Sequence, residues 1–175
     1  MNRFLLGLLL LCLISLAEVH GQLDIKHRLR ALTKTSDIVL IGRIDSITSR
    51  VNDQRTSIHS YITITAKTIL KGDATTQSLV LETVGGRVGN TEVTVSHSVR
   101  YNPGEEILIF LSRSHRSPHA YFHLTGPGGK FNIVIDTNGE RVVFEDTGDE
   151  QSTNEQRRLY PMNLEETVAH VIEYR

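Results

Sequence analysis

Two segments carry the clearest alternation of apolar and polar positions. Ile38 to Ile44 is apolar on both alternating faces at its start, and Arg43 and Asp45 then restore a wet face. Ser60 to Lys71 alternates throughout, with Ile62, Ile64, Ala66 and Leu70 on one side and Tyr61, Thr63, Thr65 and Lys67 on the other. Successive side chains of a strand point to opposite faces, so the second pattern predicts a strand with one solvated face. The first predicts a strand covered on both. The polar connection between them makes the pair a hairpin.

The same reading continues along the chain. Lys71-Gly72-Asp73 stops the second strand, Leu79 to Val84 begins a third, and Gly85-Gly86 with Gly89-Asn90 marks a turn. Thr91 to Val99 alternates with Val93, Val95 and Val99 on one side, which predicts a half-buried strand. After the turn Asn102-Pro103-Gly104, the run Ile107-Leu-Ile-Phe-Leu111 predicts a strand at the heart of the core. Ser112 to His119 is a basic, polar loop, Ala120 to Thr125 resumes a strand, and Gly126-Pro-Gly-Gly129 turns again. Phe131, Ile133 and Ile135 then alternate towards Asn138-Gly139, a hairpin signal leading into Arg141 to Phe144. Short strands at such regular intervals favour a closed or sandwich-like β architecture over a parallel α/β one.

Helical spacing appears only near the two ends. Asp24 to Lys34 carries Ile25, Leu29 and Leu32 among basic residues, a short amphipathic helix or an irregular arm. Asn163 is an N-cap with Glu166 three residues on, and Leu164, Val168, Val171 and Ile172 form the apolar stripe of a final helix. Asp146 to Gln156 has almost no apolar content and reads as a flexible connection. The resulting division is residues 1–21 as signal peptide, 22–145 as the β domain, 146–161 as polar linker and 162–175 as the C-terminal helix.

The signal peptide follows from Arg3, an apolar run from Phe4 to Leu16, and small residues before cleavage points after Ala17 or Gly21. That run falls short of the ~20 residues a membrane span needs, so the expectation is a secreted protein, extracellular or periplasmic, with no membrane span. Cys12 is the only cysteine and lies in the signal, so the mature chain must be held by packing rather than disulfides. The net charge of −1 and an aromatic content of 6% disfavour nucleic acid as a partner.

With the strands placed, Ser36-Asp37-Ile-Val-Leu-Ile-Gly42 and the segment from Ser60-Tyr61 to Ile69-Leu70-Lys71-Gly72 resemble the netrin-like domain family, which includes the tissue inhibitors of metalloproteinases. The resemblance covers roughly Leu32 to Ile135. It implies a mainly β fold: an OB-like (netrin-like) closed antiparallel β-barrel with a short N-terminal helix and a C-terminal helix. The pattern Tyr101-Asn-Pro-Gly-Glu-Glu-Ile-Leu-Ile-Phe-Leu111 followed by Gly129-Lys-Phe131 is also similar to that of a loosely defined set of secreted microbial proteins with no assigned activity. Metalloproteinase inhibitors of the netrin-like family chelate the protease zinc through an N-terminal cysteine. Here the mature chain would start at Glu18 or Gln22 with no cysteine, so no inhibitory residue carries over.

Candidate chemistry is sparse. His115, His119 and His123 recur every four residues, a spacing that on a helix would align imidazoles for a metal. Pro118 and Tyr121-Phe122 oppose a helix there, so a solvated loop is the plainer reading. His97, between Val95 and Val99, reads as a satisfied, partly buried side chain. Asp136-Thr-Asn-Gly-Glu140 places its glycine too early for a calcium loop and reads as a hairpin turn. Asp146, Asp149 and Glu150 could offer oxygens to calcium, though a solvated acidic loop explains them as well. Gly85-Gly86-Arg87-Val88-Gly89 lacks the lysine of a phosphate-binding loop, and no Gly-x-Ser-x-Gly elbow or His-Glu-x-x-His pair occurs.

These observations point to a secreted, non-enzymatic binding module for an extracellular protein, peptide or glycan, with no cofactor. The residues expected to face the ligand are Gly85, Gly86, Arg87 and Asn90 in one loop and Arg113, His115, Arg116 and His119 in another. The alternatives are a cysteine-free protease inhibitor that inserts a loop, and a secreted hydrolase or metal-binding protein using the histidine loop.

Overall fold

Helix α1, residues 25–35, is the first of the described elements and buries Leu29 and Leu32 against the sheet, as their spacing requires. The structure, a computed structural model, describes residues 25–52, 54–73, 77–96, 98–114, 121–126, 128–146 and 162–175. The strands follow as β1 Ile38–Val51, β2 Ile58–Lys71, β3 Ser78–Val84, β4 Gly86–Val88, β5 Thr91–Val93, β6 Glu106–Arg113, β7 Phe122–Leu124, β8 Lys130–Ile135, β9 Arg141–Glu145 and β10 Met162–Asn163. Helix α2, Leu164–Tyr174, ends the chain. The fold is mainly β with a helix near each end of the described chain. No helix among the described residues is long and apolar enough to cross a membrane.

The main sheet has the order β1-β2-β3-β7-β6-β8-β9-β10, and β1 also pairs with β6. The pairings β1-β2-β3-β7-β6 therefore lead back to β1. Every one of them is antiparallel except β3 with β7, which is parallel at Leu81 and Phe122. An all-antiparallel arrangement was expected, and the departure follows from counting. Five strands in a circuit cannot alternate direction all the way round, so one neighbouring pair must run the same way.

Because β1 and β6 are covered on both faces, their successive residues fall into two separate apolar clusters. Ile38, Leu40 and Ile44 of β1 join Ile62, Ile64, Leu81, Ile107, Ile109, Leu111 and Phe122 within the circuit. Val39 and Ile41 join Leu108, Phe110, Phe131, Val143 and residues of both helices on the other side. Each fully buried aliphatic side chain contributes roughly 1.5–3 kcal/mol relative to exposure, so the unbroken runs in β1 and β6 serve two cores at once.

Leu70 departs from the simple alternation of β2. It packs in the outer cluster rather than beside Ile62 and Ile64. The register between β1 and β2 shifts at Val39/Leu40 and at Ile41/Gly42, and such bulges bend a strand and change which face its later residues present. The end of β2 thereby crosses to the helical side. There Lys71 Nζ donates to the carbonyls of Thr33 at 2.6 Å and Ser36 at 2.8 Å, closing the C-terminus of α1. Gly72 follows with φ +87°, and a Cβ there would overlap the carbonyl of Asp37. The Leu-Lys-Gly turn is thus both strand stop and helix cap.

At the other end Asn163 caps α2, its Oδ1 accepting from the N–H of Glu165 at 2.8 Å and of Glu166 at 3.2 Å. The buried face is Leu164, Thr167 and Val171, with Val168 partly covered. Ile172, expected in the stripe, is exposed. Thr91 to Val99 also departs from its pattern: only Thr91–Val93 is a strand, and Val95 is exposed. Among the described residues its one strand partner is the three-residue β4, so the alternation has no strand to pair with beyond Val93.

Candidate functional site

The chain leaves β3 through two glycines that lie against the turn end of the β1–β2 pair. Gly85 N–H donates to the carbonyl of Ile58 at 2.9 Å, and Ser60 Oγ donates to the carbonyl of Gly85 at 2.8 Å. Ser60 Oγ also meets Ser49 Oγ at 3.0 Å. Gly86 sits directly over these hydroxyls with φ +130°, and any Cβ would overlap both serines. Glycine is required twice over, by conformation and by space. A two-residue turn, Gly89-Asn90, then closes the β4–β5 hairpin. Arg87 pairs with Glu92 across it at 2.5 Å, but both side chains are more than half exposed, so the pair adds little stability.

Between this hairpin and the sheet lies a cleft of about 250 Å3. Ile47 and Ile62 line it from the sheet, Val93 from the end of β5, Val95 and Val99 from the segment that follows, and Ser60 and Thr83 add hydroxyls. Tyr101 lines it too. The cleft thus sets aliphatic side chains beside hydroxyls and the Glu92 carboxylate, an apolar pocket with polar groups to fix orientation. The valines that failed to make a strand are the wall of this cleft.

The opposite face of β2 holds a polar and aromatic cluster. Glu82 Oε1 meets His59 Nδ1 at 3.0 Å and accepts from Tyr61 OH at 3.0 Å. The Arg50 guanidinium lies 4.0 Å above the Tyr61 ring and donates to Tyr121 OH at 2.9 Å. The rings of Tyr61 and Tyr121 are tilted at 5.1 Å. Asn52 Oδ1 accepts from the N–H groups of Thr56 and Ser57, and its Nδ2 donates to Thr56 Oγ1 at 2.9 Å, with His59 Nε2 3.5 Å away. The cluster pins the β1–β2 turn to β3.

A second polar group is buried outright. Lys130 is 0% exposed, and its Nζ donates to Asp146 Oδ2 at 2.9 Å, Glu105 Oε2 at 3.1 Å and the carbonyl of Arg100 at 2.6 Å. It also lies 5.2 Å from the centre of the Tyr101 ring. Burial, reinforced by the Asp146 charge, pushes the Tyr101 hydroxyl well above its ordinary pKa. Asp146, expected in a flexible acidic connection, is instead buried as a counter-charge to Lys130. The two halves of the pattern Tyr101 to Leu111 and Gly129-Lys-Phe131 meet here, and their shared chemistry is this ion cluster.

The structure thus gathers Gly85 and Gly86 at the cleft, with Arg87 and Asn90 on the exposed hairpin. Arg113 lies elsewhere: its N–H donates to Asp37 Oδ2 at 2.7 Å, beside the start of β1, while Gly86 packs on Ser49 and Ser60 near its end. His115, Arg116 and His119 lie outside the described residues, as do His97, Asp149, Glu150 and the signal segment. Among the described residues no three His, Cys, Asp or Glu side chains come together as a metal would need. Sequence reasoning missed Lys130, Glu105 and the His59–Glu82–Tyr61 group, because each joins residues distant in the chain. Compared with known proteins, the chain matches no family model, no curated protein and no solved structure.

Proposed function

We propose that the protein is a secreted, non-enzymatic binding module built on an OB-like, netrin-like closed barrel, and that it takes a protein or peptide ligand at the Gly85–Gly86 cleft. The barrel reading is supported by five strands whose pairings return to β1, with an apolar cluster inside the circuit. The observation that carries the binding reading is the cleft itself, where aliphatic walls and serine and threonine hydroxyls meet beneath a glycine-dependent hairpin. That lining fits an aliphatic side chain of an extended segment. A glycan would call for broad aromatic platforms, and Tyr101 is the one aromatic residue among those lining the cleft.

The test is a screen of the protein on peptide and glycan arrays, followed by titration of the hits. Peptides with a central aliphatic residue should bind, and Val95→Lys should weaken them at least tenfold. Ile172→Lys, on the exposed side of α2, should leave them unchanged. Hits confined to glycans, or peptide affinity indifferent to Val95→Lys, would sink the assignment.

A further inference from the structure

An amine and a carboxylate in contact are the two halves of an amide, and the fold sets Lys130 and Asp146 face to face. Phe131 of β8 pairs with Glu145 of β9, and one step on Asp146 N–H donates to the carbonyl of Lys130 at 3.0 Å. Side chains opposed across neighbouring strands share a face. Lys130 also pairs with Ile109 of the inner apolar cluster, whereas Phe131 belongs to the outer one. The lysine and the aspartate therefore meet on the face directed into the circuit.

In water such a pair stays ionised because hydration stabilises both charges. Here Nζ lies 2.9 Å from Oδ2 with the two side chains 0% and 5% exposed, so neither ion keeps that hydration. Desolvation raises the free energy of the ions, and a neutral amide carries no such cost. Fixed geometry adds to this, since well-oriented intramolecular reactions reach effective molarities of about 10⁵–10⁸ M. Oδ2 is bonded to the carbon that the amine would attack, so a short slide of Nζ turns the contact into an approach on that carbon.

Condensation also needs a group that moves protons. The ammonium must lose a proton before it has a lone pair, and a carboxylate oxygen must gain protons before it leaves as water. Glu105 Oε2 lies 3.1 Å from the same Nζ, and its side chain is 27% exposed. It is a second carboxylate on a lysine whose charge Asp146 alone would balance, and the one that both touches the amine and reaches solvent. The carbonyl of Arg100, accepting from Nζ at 2.6 Å, holds the amine in place between the two acids.

We propose that Lys130 and Asp146 join in an intramolecular isopeptide bond, with Glu105 as the catalytic acid and base. Glu105 takes a proton from the ammonium, and the freed lone pair of Nζ attacks Cγ of Asp146, forming the N–C bond. Two protons pass in all, through Glu105, from Nζ to one Asp146 oxygen, which leaves as water when its C–O bond breaks. One ammonium and one carboxylate thus become one amide and one water, nothing is oxidised or reduced, and Glu105 ends as it began. The ion pair is the reactant state, and the reaction occurs once per chain. The bond staples β8 to the end of β9 in a sequence whose one cysteine leaves no pair for a disulfide.

The test is the intact mass of the denatured full chain, once its N-terminus has been read, followed by peptide mapping. The mass should fall one water below that of the sequence. Digestion should yield a branched peptide containing both Lys130 and Asp146, which dehydration at a single residue cannot give. Glu105→Gln keeps the shape of the acid without its proton transfer and should slow formation of the bond at least tenfold. Asp146→Asn should lose ammonia in place of water, because the departing group is then the amide nitrogen. An intact mass that retains every atom of the sequence, with Lys130 and Asp146 on separate peptides, overturns the proposal, and this wild-type measurement decides whether or not the variants fold. Loss of water from Asp146→Asn would overturn Asp146 as the acceptor, and an unchanged rate in Glu105→Gln would overturn Glu105 as the catalyst.

Discussion

Two lysines close two parts of this molecule, and they do so on different physical terms. Lys71, at the end of β2, donates to backbone carbonyls at the C-terminus of α1. Lys130, at the start of β8, donates to one carbonyl and to the carboxylates of Glu105 and Asp146. Lys71 keeps part of its surface in water, so partial charges on carbonyls suffice as partners. Lys130 has no water, so full counter-charges are needed to offset its desolvation. The first lysine is a cap, and the second is a group whose removal strands two acids.

The largest test of that contrast is Lys130→Met. It should lower the free energy of unfolding by about 3–5 kcal/mol, read from urea denaturation, because Asp146 and Glu105 lose their buried partner. If the loss is no greater than for Lys71→Met, the contrast collapses. Adding Asp146→Asn to Lys130→Met should recover about 1–3 kcal/mol, since the stranded charge disappears with its carboxylate. A double variant no more stable than Lys130→Met alone would mean that Asp146 is not the counter-charge.

Tyr101 gives a smaller, pH-dependent effect. Its raised pKa means that the folded protein holds the phenolic proton where the unfolded chain releases it, at about pH 10. The unfolded state then binds fewer protons, so this contribution is fully present below about pH 10 and falls as pH rises above it. Tyr101→Phe should flatten the alkaline fall between pH 9.5 and 11 (about the range where free tyrosine titrates) in denaturation curves at several pH values. An unchanged slope would place the hydroxyl in water. The smallest effect is Lys71→Met, which should lower stability by about 0.3–1 kcal/mol and fray the last turn of α1 in hydrogen exchange.

What the sequence made legible were features set by neighbours along the chain. Ile107 to Leu111 reads as a strand covered on both faces because each position is apolar, and both clusters use it. Asn163 and Glu166 announce the start of α2, and the cap forms. The turn at Leu70-Lys71-Gly72 was visible as a turn, but not as the cap of a helix that ends at residue 35, because that role depends on a bulge that swings β2 across.

What stayed hidden depends on partners. Thr91 to Val99 has the period of a strand, yet period alone does not supply a neighbouring strand to bond. Lys130 follows a glycine-rich turn and looks solvated, and only the meeting of β8 with the segment from Arg100 to Glu105 and with Asp146 shows why it is buried. The Gly85–Gly86 loop was legible as a turn, but the reason its second residue must be glycine was not: the backbone there passes against Ser49 and Ser60, which lie far back in the chain.

The single parallel contact, Leu81 with Phe122, has a consequence for how the chain acquires its shape. The β1–β2 hairpin can zip from its own turn, while the β3–β7 contact must wait until β6 has come round from far along the chain and paired with β1. Loop-closure entropy makes that long-range step slow, and one register pair gives it little reward. The seam between β3 and β7 should therefore form last and open first.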